Sequence, residues 1–121
     1  MSEKRILIVD DDKSINAVFK TMLEEHGYTV NTASSGQEAL SLADSSFDLV
    51  ILDIKLPDIM GDQVAIMMKE RKMADNTVLM TGYPEMGDCI DTLGIGIQEI
   101  LLKPISPDDI LRVTREALSE E

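Results

Sequence analysis

Apolar positions along the chain fall into two alternating patterns. Short continuous runs form the first: Ile6-Leu7-Ile8-Val9, Leu49-Val50-Ile51-Leu52 and Val78-Leu79-Met80. Runs of this length suit strands buried on both faces, as in a parallel sheet. Two further segments, residues 28–32 and 97–102, mix polar with apolar positions. Polar residues inside a strand suit an edge, where one side meets water. The pattern therefore predicts three central strands and two edge strands.

Between these segments the period becomes helical. Ile15, Val18, Phe19, Met22 and Leu23 recur at the spacing of one helix face, and Gly27 stops that helix. Ser35-Gly36-Gln37-Glu38 is a capping box opening a second helix through Ala39, Leu40 and Ala43. Asp62 is placed to cap a third, carrying Val64, Met67 and Met68. Met86, Cys89, Ile90 and Leu93 predict a short fourth, ended by Gly94. Ser106-Pro107-Asp108-Asp109 starts a fifth, lined by Ile110, Val113, Thr114, Ala117 and Leu118. Strict alternation of strand and helix five times predicts an α/β protein, a single (βα)5 doubly wound parallel sheet. With the mixed strands at the edges, the order is the flavodoxin-like 2-1-3-4-5. Met60, Met67, Met68 and Met73 read as core filler and partly exposed edge.

Composition narrows the function classes. The 121 residues suit one domain, read as spanning 1–121 with no effector domain in the chain. Apolar residues make up 44%, too many for disorder by composition. The 23 acidic side chains against 11 basic ones give a net charge of −12, which disfavours nucleic acid and anionic membrane as direct partners. The single cysteine, Cys89, excludes an internal disulfide framework and fits a reducing cytosol. No apolar run reaches the roughly 18 residues of a membrane span, and the four apolar residues after Arg5 are too few for a signal peptide. A cytoplasmic location is the expectation.

In an open α/β sheet, ligands bind outside the C-terminal ends of the strands, here at the switch point between strands 1 and 3. Asp10-Asp11-Asp12 follows strand 1, Asp53 ends strand 3, Thr81-Gly82 ends strand 4 and Lys103-Pro104 ends strand 5. Carboxylates held this close stay ionised only if a cation compensates them. Oxygen-only ligands select a hard cation such as Mg²⁺. A hard cation beside a carboxylate, a hydroxyl and a lysine is equipment for phosphoryl transfer, with an aspartate available as covalent nucleophile. The only histidine, His26, reads as a dipole partner at a helix C-terminus. Asp12 reads as the cap of the first helix, and Asp58, Asp62, Asp108 and Asp109 as loop or cap residues.

These residues resemble the response-regulator receiver domain of two-component signalling, the phosphoacceptor family that includes the chemotaxis response regulator. The resemblance rests on residues 6–12, 53–61, 80–82 and 102–105 in that order, each piece following its own strand. It implies that Asp53 is the phosphoacceptor, taking its phosphoryl group from a histidine kinase or a histidine phosphotransfer protein. Asp11 would be a direct Mg²⁺ ligand, Asp10 would hold metal-bound water, and the backbone carbonyl of Lys55 would complete the protein ligands beside Asp53. Thr81 would hydrogen-bond the phosphoryl oxygen. Lys103 would pair with that group, or with Asp53 when it is empty, and the Lys103–Pro104 bond would be cis. Pro57 and Gly61 would shape the loop after the acceptor.

Signalling would pass to a downstream effector protein or a fused output domain, through the surface of the fourth helix, fifth strand and fifth helix. The domain would be a monomer or a weak phosphorylation-dependent dimer. It would not act on a separate metabolite as an enzyme. It would only catalyse its own phosphorylation and slow dephosphorylation. One departure stands out: Ile100 occupies the strand-5 position that carries Tyr or Phe in many members. The switch would then run through Thr81 and Gly82-Tyr83-Pro84 without a reporting ring. The resemblance further implies that Lys55 and Tyr83 would border the path of attacking water and set the phosphoryl lifetime.

The rival from a different class is a phosphatase resembling the haloacid dehalogenase superfamily, with Asp10 as nucleophile. It needs a later acidic pair and a substrate-closing cap that the sequence lacks, and it leaves Asp53 without a role. A flavin-binding protein would need an anion-accepting loop where Asp10-Asp11-Asp12 repels anions. A receiver-like module that is never phosphorylated would not need the full set of site residues.

Overall fold

The computed structural model describes residues 3–42, 46–82 and 97–118. The predicted fourth helix, with Met86, Cys89, Ile90, Leu93 and Gly94, lies outside the described residues, as do Ala43, Tyr83 and Pro84. Five strands, β1 (Arg5–Val9), β2 (Thr29–Ala33), β3 (Phe47–Asp53), β4 (Ala74–Thr81) and β5 (Glu99–Leu102), pair in parallel in the order β2-β1-β3-β4-β5. The described helices are α1 (Lys13–Glu25), α2 (Gly36–Leu40), α3 (Gly61–Glu70) and α4 (Pro107–Ala117). The sheet order is the one expected from the apolar runs, and so is the alternation of strand and helix as far as β4.

Alternation along each strand divides the core in two. Leu7, Val9, Val50, Leu52 and Leu79 face α2 and α3, whose Leu40, Val64 and Met68 cover them. Ile6, Ile8, Leu49, Ile51, Val78 and Met80 face α1 and α4, packing on Phe19, Leu23, Ile110 and Val113. Both faces being buried is why the central strands read as unbroken apolar runs. Full burial of each such Leu or Ile contributes roughly 1.5–3 kcal/mol. Met68 and Met73 are core residues, while Met60 stands exposed.

Three details depart from the expectations. Strand β4 starts at Ala74, well before its apolar run, because Phe47 and Leu49 of β3 pair with Ala74 and Asn76. Asn76 also donates its side-chain amide to the Asp48 carbonyl at 3.0 Å. Val18 does not join the inner face of α1; it is 53% exposed, and Asn16 takes a buried place instead. Asp62 does not cap α3: the cap position is Met60, with no side-chain bond, and Asp62 lies in the first turn.

The early start of α3 has a backbone cause. Gly61 donates its N–H to the Ile54 carbonyl. A Cβ at Gly61 would lie 2.2 Å from the Asp53 carbonyl oxygen and 2.6 Å from the Ile54 Cα. Only glycine lets the helix begin against the end of β3, so the chain turns one residue before Asp62. Gly61→Ala must displace backbone, not a flexible side chain. The expected cost is about 3 kcal/mol, a fall of roughly 10 °C in melting temperature for a domain of this size. A thermal melt unchanged from the parent would show that the β3–α3 turn gives way freely.

Candidate functional site

Each strand of the sheet ends at the same edge, so residues distant in sequence meet there. Asp10 follows β1, Asp53 closes β3, Thr81 closes β4 and Lys103 follows β5. Register aligns them: Asp53 pairs with Met80, one residue before Thr81, and Thr81 pairs with Leu102, one residue before Lys103. The Lys103 N–H donates to the Thr81 carbonyl at 2.7 Å, continuing the ladder past its last paired residues.

The centre of the site is one ammonium shared by two buried carboxylates. Lys103 Nζ lies 2.7 Å from Asp10 Oδ2 and 3.0 Å from Asp53 Oδ2. Asp10 is fully buried and Asp53 nearly so. Their other oxygens accept backbone N–H groups: Asp10 Oδ1 from Asp12 at 2.9 Å, Asp53 Oδ1 from Lys55 at 3.3 Å. Asp11 stands exposed, yet one oxygen from each of Asp10, Asp11 and Asp53 lies within 4.8 Å of the others. Three carboxylates against one ammonium leave two negative charges uncompensated. An all-oxygen donor set with excess negative charge fits a hard divalent cation such as Mg²⁺.

Burial is the main influence on Asp53 and pushes its pKa above the usual carboxylate range. The hydrogen bond and charge of Lys103 oppose that shift, and the neighbouring Asp10 charge adds to it. Burial also works against the Lys103 ammonium, but the hydrogen bonds and charges of Asp10 and Asp53 outweigh it, and the pKa of Lys103 rises. The lysine therefore stays charged.

Local sequence explains why the loops hold these positions. Asp12 caps α1 as expected, accepting from Ser14 and Ile15. Ser106 and Asp109 form the reciprocal capping box of α4. At α2 the box is incomplete: Ser35 accepts the Glu38 N–H, but the Glu38 carboxylate takes the N–H of Ser34 instead of Ser35. His26 is the C-cap of α1, its Nδ1 2.9 Å from the Met22 carbonyl. The Lys103–Pro104 bond is cis. Ile100 is partly buried against the core cluster that contains Leu79.

One supporting residue, Asn16, carries no mark in the sequence motifs. Asn16 donates its amide to the carbonyls of Asp10 at 2.8 Å and Ala33 at 3.1 Å, tying the end of β1 to the end of β2. A polar residue four positions after Asp12 on an otherwise apolar stripe was the available signal. Asp58 is a cap residue as expected, but for a helix remote in sequence: its carboxylate accepts the N–H groups of Gly36 and Gln37. An apolar recess of about 290 Å³ opens beside the mouth, lined in part by Ile15, Val18, Phe19, Met80, Pro104 and Ile105.

A doubly wound parallel sheet with buried aspartates and a lysine at the C-terminal ends of its strands marks a flavodoxin-like α/β domain with an acidic site. The family described as the response regulator receiver domain matches residues 6–115, and the chain belongs to that family. The response regulator SaeR of Staphylococcus epidermidis is 34% identical over 114 residues, covering 94% of this chain and 50% of SaeR. The chain thus spans about half the length of the curated relatives it matches. A CheY-like receiver domain from Methanospirillum hungatei superposes with a TM-score of 0.87 at 36% identity, over 98% of this chain and 95% of that one. The response regulator TrrA of Thermotoga maritima, solved in complex with Mg²⁺ and BeF, gives 0.80 at 35% identity, over 95% and 99%. The domain is a receiver of phosphorelay signalling. Among the described residues no helix is long and apolar enough to cross a membrane.

A carboxyl whose pKa rises on folding costs stability in its ionised form. That cost is absent below the unfolded value of 3.8 and complete above the folded pKa. Asp53→Asn removes the charge and keeps the shape, while Asp10 still pairs Lys103. In metal-free buffer the variant should melt higher than the parent near about pH 7, with the gain shrinking as the pH falls toward 3.8. A gain of equal size across that range would show that the buried charge is not its source.

Proposed function

We propose that the domain is a Mg²⁺-dependent phosphoacceptor switch in which Asp53 takes a phosphoryl group from the histidine of a kinase or phosphotransfer protein. The observation that carries this reading is the position of Asp53: nearly buried at the end of β3, 3.0 Å from the Lys103 ammonium, with Asp10 and Asp11 oxygens alongside. Bound Mg²⁺, held by Asp11, Asp53, the Lys55 carbonyl and, through water, Asp10, would neutralise charge on the phosphoryl oxygens.

The remaining steps belong to the chain. An Asp53 carboxylate oxygen attacks phosphorus. The O–P bond forms as the N–P bond breaks, and the imidazole nitrogen keeps the electron pair and takes up a proton. Lys103 turns from Asp53 to a phosphoryl oxygen while Asp10 keeps hold of it, the shorter of its two contacts. Thr81, buried at the end of β4, donates its hydroxyl to another phosphoryl oxygen. Water later attacks phosphorus, the Asp53 O–P bond breaks, and inorganic phosphate leaves as the carboxylate is restored, a cycle that turns over no separate metabolite. The recess beside Ile15, Val18 and Pro104 would offer apolar contact to a partner presenting a phosphohistidine. The phosphatase alternative requires attack from Asp10, which is fully buried with each oxygen already accepting a hydrogen bond. Output would pass from Thr81 and Gly82 to β5, α4 and the predicted fourth helix, toward an effector protein or a fused output domain. Ile100 carries no ring for that step.

Incubation with acetyl phosphate and Mg²⁺ should add one phosphoryl group by intact mass, and none to Asp53→Asn. Amide shifts should extend from residues 53–61 to β5 and α4. Unmodified parent protein would refute the assignment of Asp53, and shifts confined to residues 53–61 would refute the output route. Lys55 stands exposed at the mouth, where its stem can shield the acyl phosphate from water. Lys55→Ala should therefore shorten the phosphoryl half-life severalfold, roughly the effect of about 1 kcal/mol on a barrier. An unchanged half-life by phosphate release would remove Lys55 from that role.

A further inference from the structure

Asp58 lies outside the acidic cluster, yet its carboxylate accepts three backbone N–H groups. Its Oδ1 accepts the N–H of Gly36 at 2.8 Å and of Ile59 at 2.9 Å, and its Oδ2 accepts the N–H of Gln37 at 2.8 Å. Gly36 and Gln37 open α2, so one carboxylate meets two N–H groups that have no partner within the helix. The Gln37 N–H bond leads in holding the Asp58 pKa below the usual range, although the side chain is exposed.

The contact is built from both sides. A Cβ on Gly36 would lie 2.9 Å from Val64 Cγ2, 3.0 Å from Ile59 Cβ and 3.3 Å from Asp58 Oδ1. The start of α2 is thus pressed against α3 and the loop before it, and glycine is what permits the approach. That loop, residues 54–60, is fixed at other points too. Lys55 donates its N–H to Asp53, Leu56 is buried in the core, and Gly61 closes the turn onto Ile54. Between Lys55 and Gly61 the polar anchor is Asp58. Pro57 joins it to Leu56.

We infer that Asp58 is a positioning residue for the metal site: by clamping the loop to the start of α2, it sets where the Lys55 carbonyl stands. The inference rests on the reading of Lys55 as a backbone ligand. Asp58 touches neither metal nor phosphoryl group and acts only through the loop. Groups that orient metal ligands from outside typically change affinity by about 10–100-fold when removed. One clamp acting through the two intervening residues, Leu56 and Pro57, belongs at the lower end.

The test compares the parent, Asp58→Ala, Asp58→Asn and Ser106→Ala. Ser106→Ala removes the cap of α4, away from the loop, and reports what loss of a cap alone does. Mg²⁺ alone is titrated by calorimetry. Backbone hydrogen exchange is followed in the metal-free proteins. Asp58→Ala should weaken Mg²⁺ binding by about tenfold and speed exchange at both Lys55 and Gly36. Asp58→Asn, whose carbonyl still accepts one N–H, should recover part of the affinity. Ser106→Ala should bind Mg²⁺ as the parent does. At saturating Mg²⁺ the rate of phosphorylation by acetyl phosphate should match the parent, separating metal affinity from chemistry. Equal Mg²⁺ affinity in Asp58→Ala, or equal weakening in Ser106→Ala, would overturn the inference. So would faster exchange confined to α2 with Lys55 unchanged, a result that needs no metal. A parent that binds no Mg²⁺ would overturn the site reading itself and the inference with it.

Discussion

One lysine ammonium between two buried carboxylates is the contact on which the site depends. Burial penalises the charge on Asp53, and Asp10 has no exposed surface at all. Lys103 makes that arrangement tolerable, but only in part, because Asp11 adds a third carboxylate within reach. The cluster therefore keeps a negative excess that a divalent cation can cancel. A formal charge of −12 spread over the surface has no such consequence. What matters is that a few of these carboxylates are held close together in a place where water screens them poorly.

Holding them there is the work of the fold. A parallel sheet sends all its strand ends to one edge, and burial on both faces keeps those ends from shifting. The loops add their own anchors. Asn16 ties the end of β1 to that of β2, Gly61 folds α3 back onto the Asp53 carbonyl, and the Lys103 N–H extends the β4–β5 ladder. Each anchor uses backbone atoms, which move less than long side chains do. Asp11 and Lys55, by contrast, stand exposed at the mouth.

Much of this was legible along the chain. The apolar runs of β1, β3 and β4 marked the buried strands, and the mixed composition of β2 and β5 marked the edges. Capping residues at Asp12, Ser35 and Ser106 gave three helix starts. The acidic pair, Asp53, Thr81 and Lys103 each follow a strand, so topology alone assembles them. The misses share a cause. Val18 has the right spacing for the core, but a helix can rotate on the sheet by a fraction of a turn, and here Asn16 is buried in its place. Asp62 has the right chemistry for a cap, but a backbone contact at Gly61 starts α3 earlier. The polar start of β4 carries no apolar pattern and becomes strand only by pairing with β3.

Periodicity and strand-end residues by themselves determined the (βα) alternation, the sheet order and which residues reach one edge. These depend on local spacing and on a handedness common to all such crossovers. The sharing of Lys103 between Asp10 and Asp53, the raised pKa of Asp53, the reach of Asp58 to α2 and the buried amide of Asn16 were decided only by the tertiary structure. Each needs a distance between segments remote in sequence, and such distances are set by how helices and loops settle on the sheet. Spacing along a chain does not encode them.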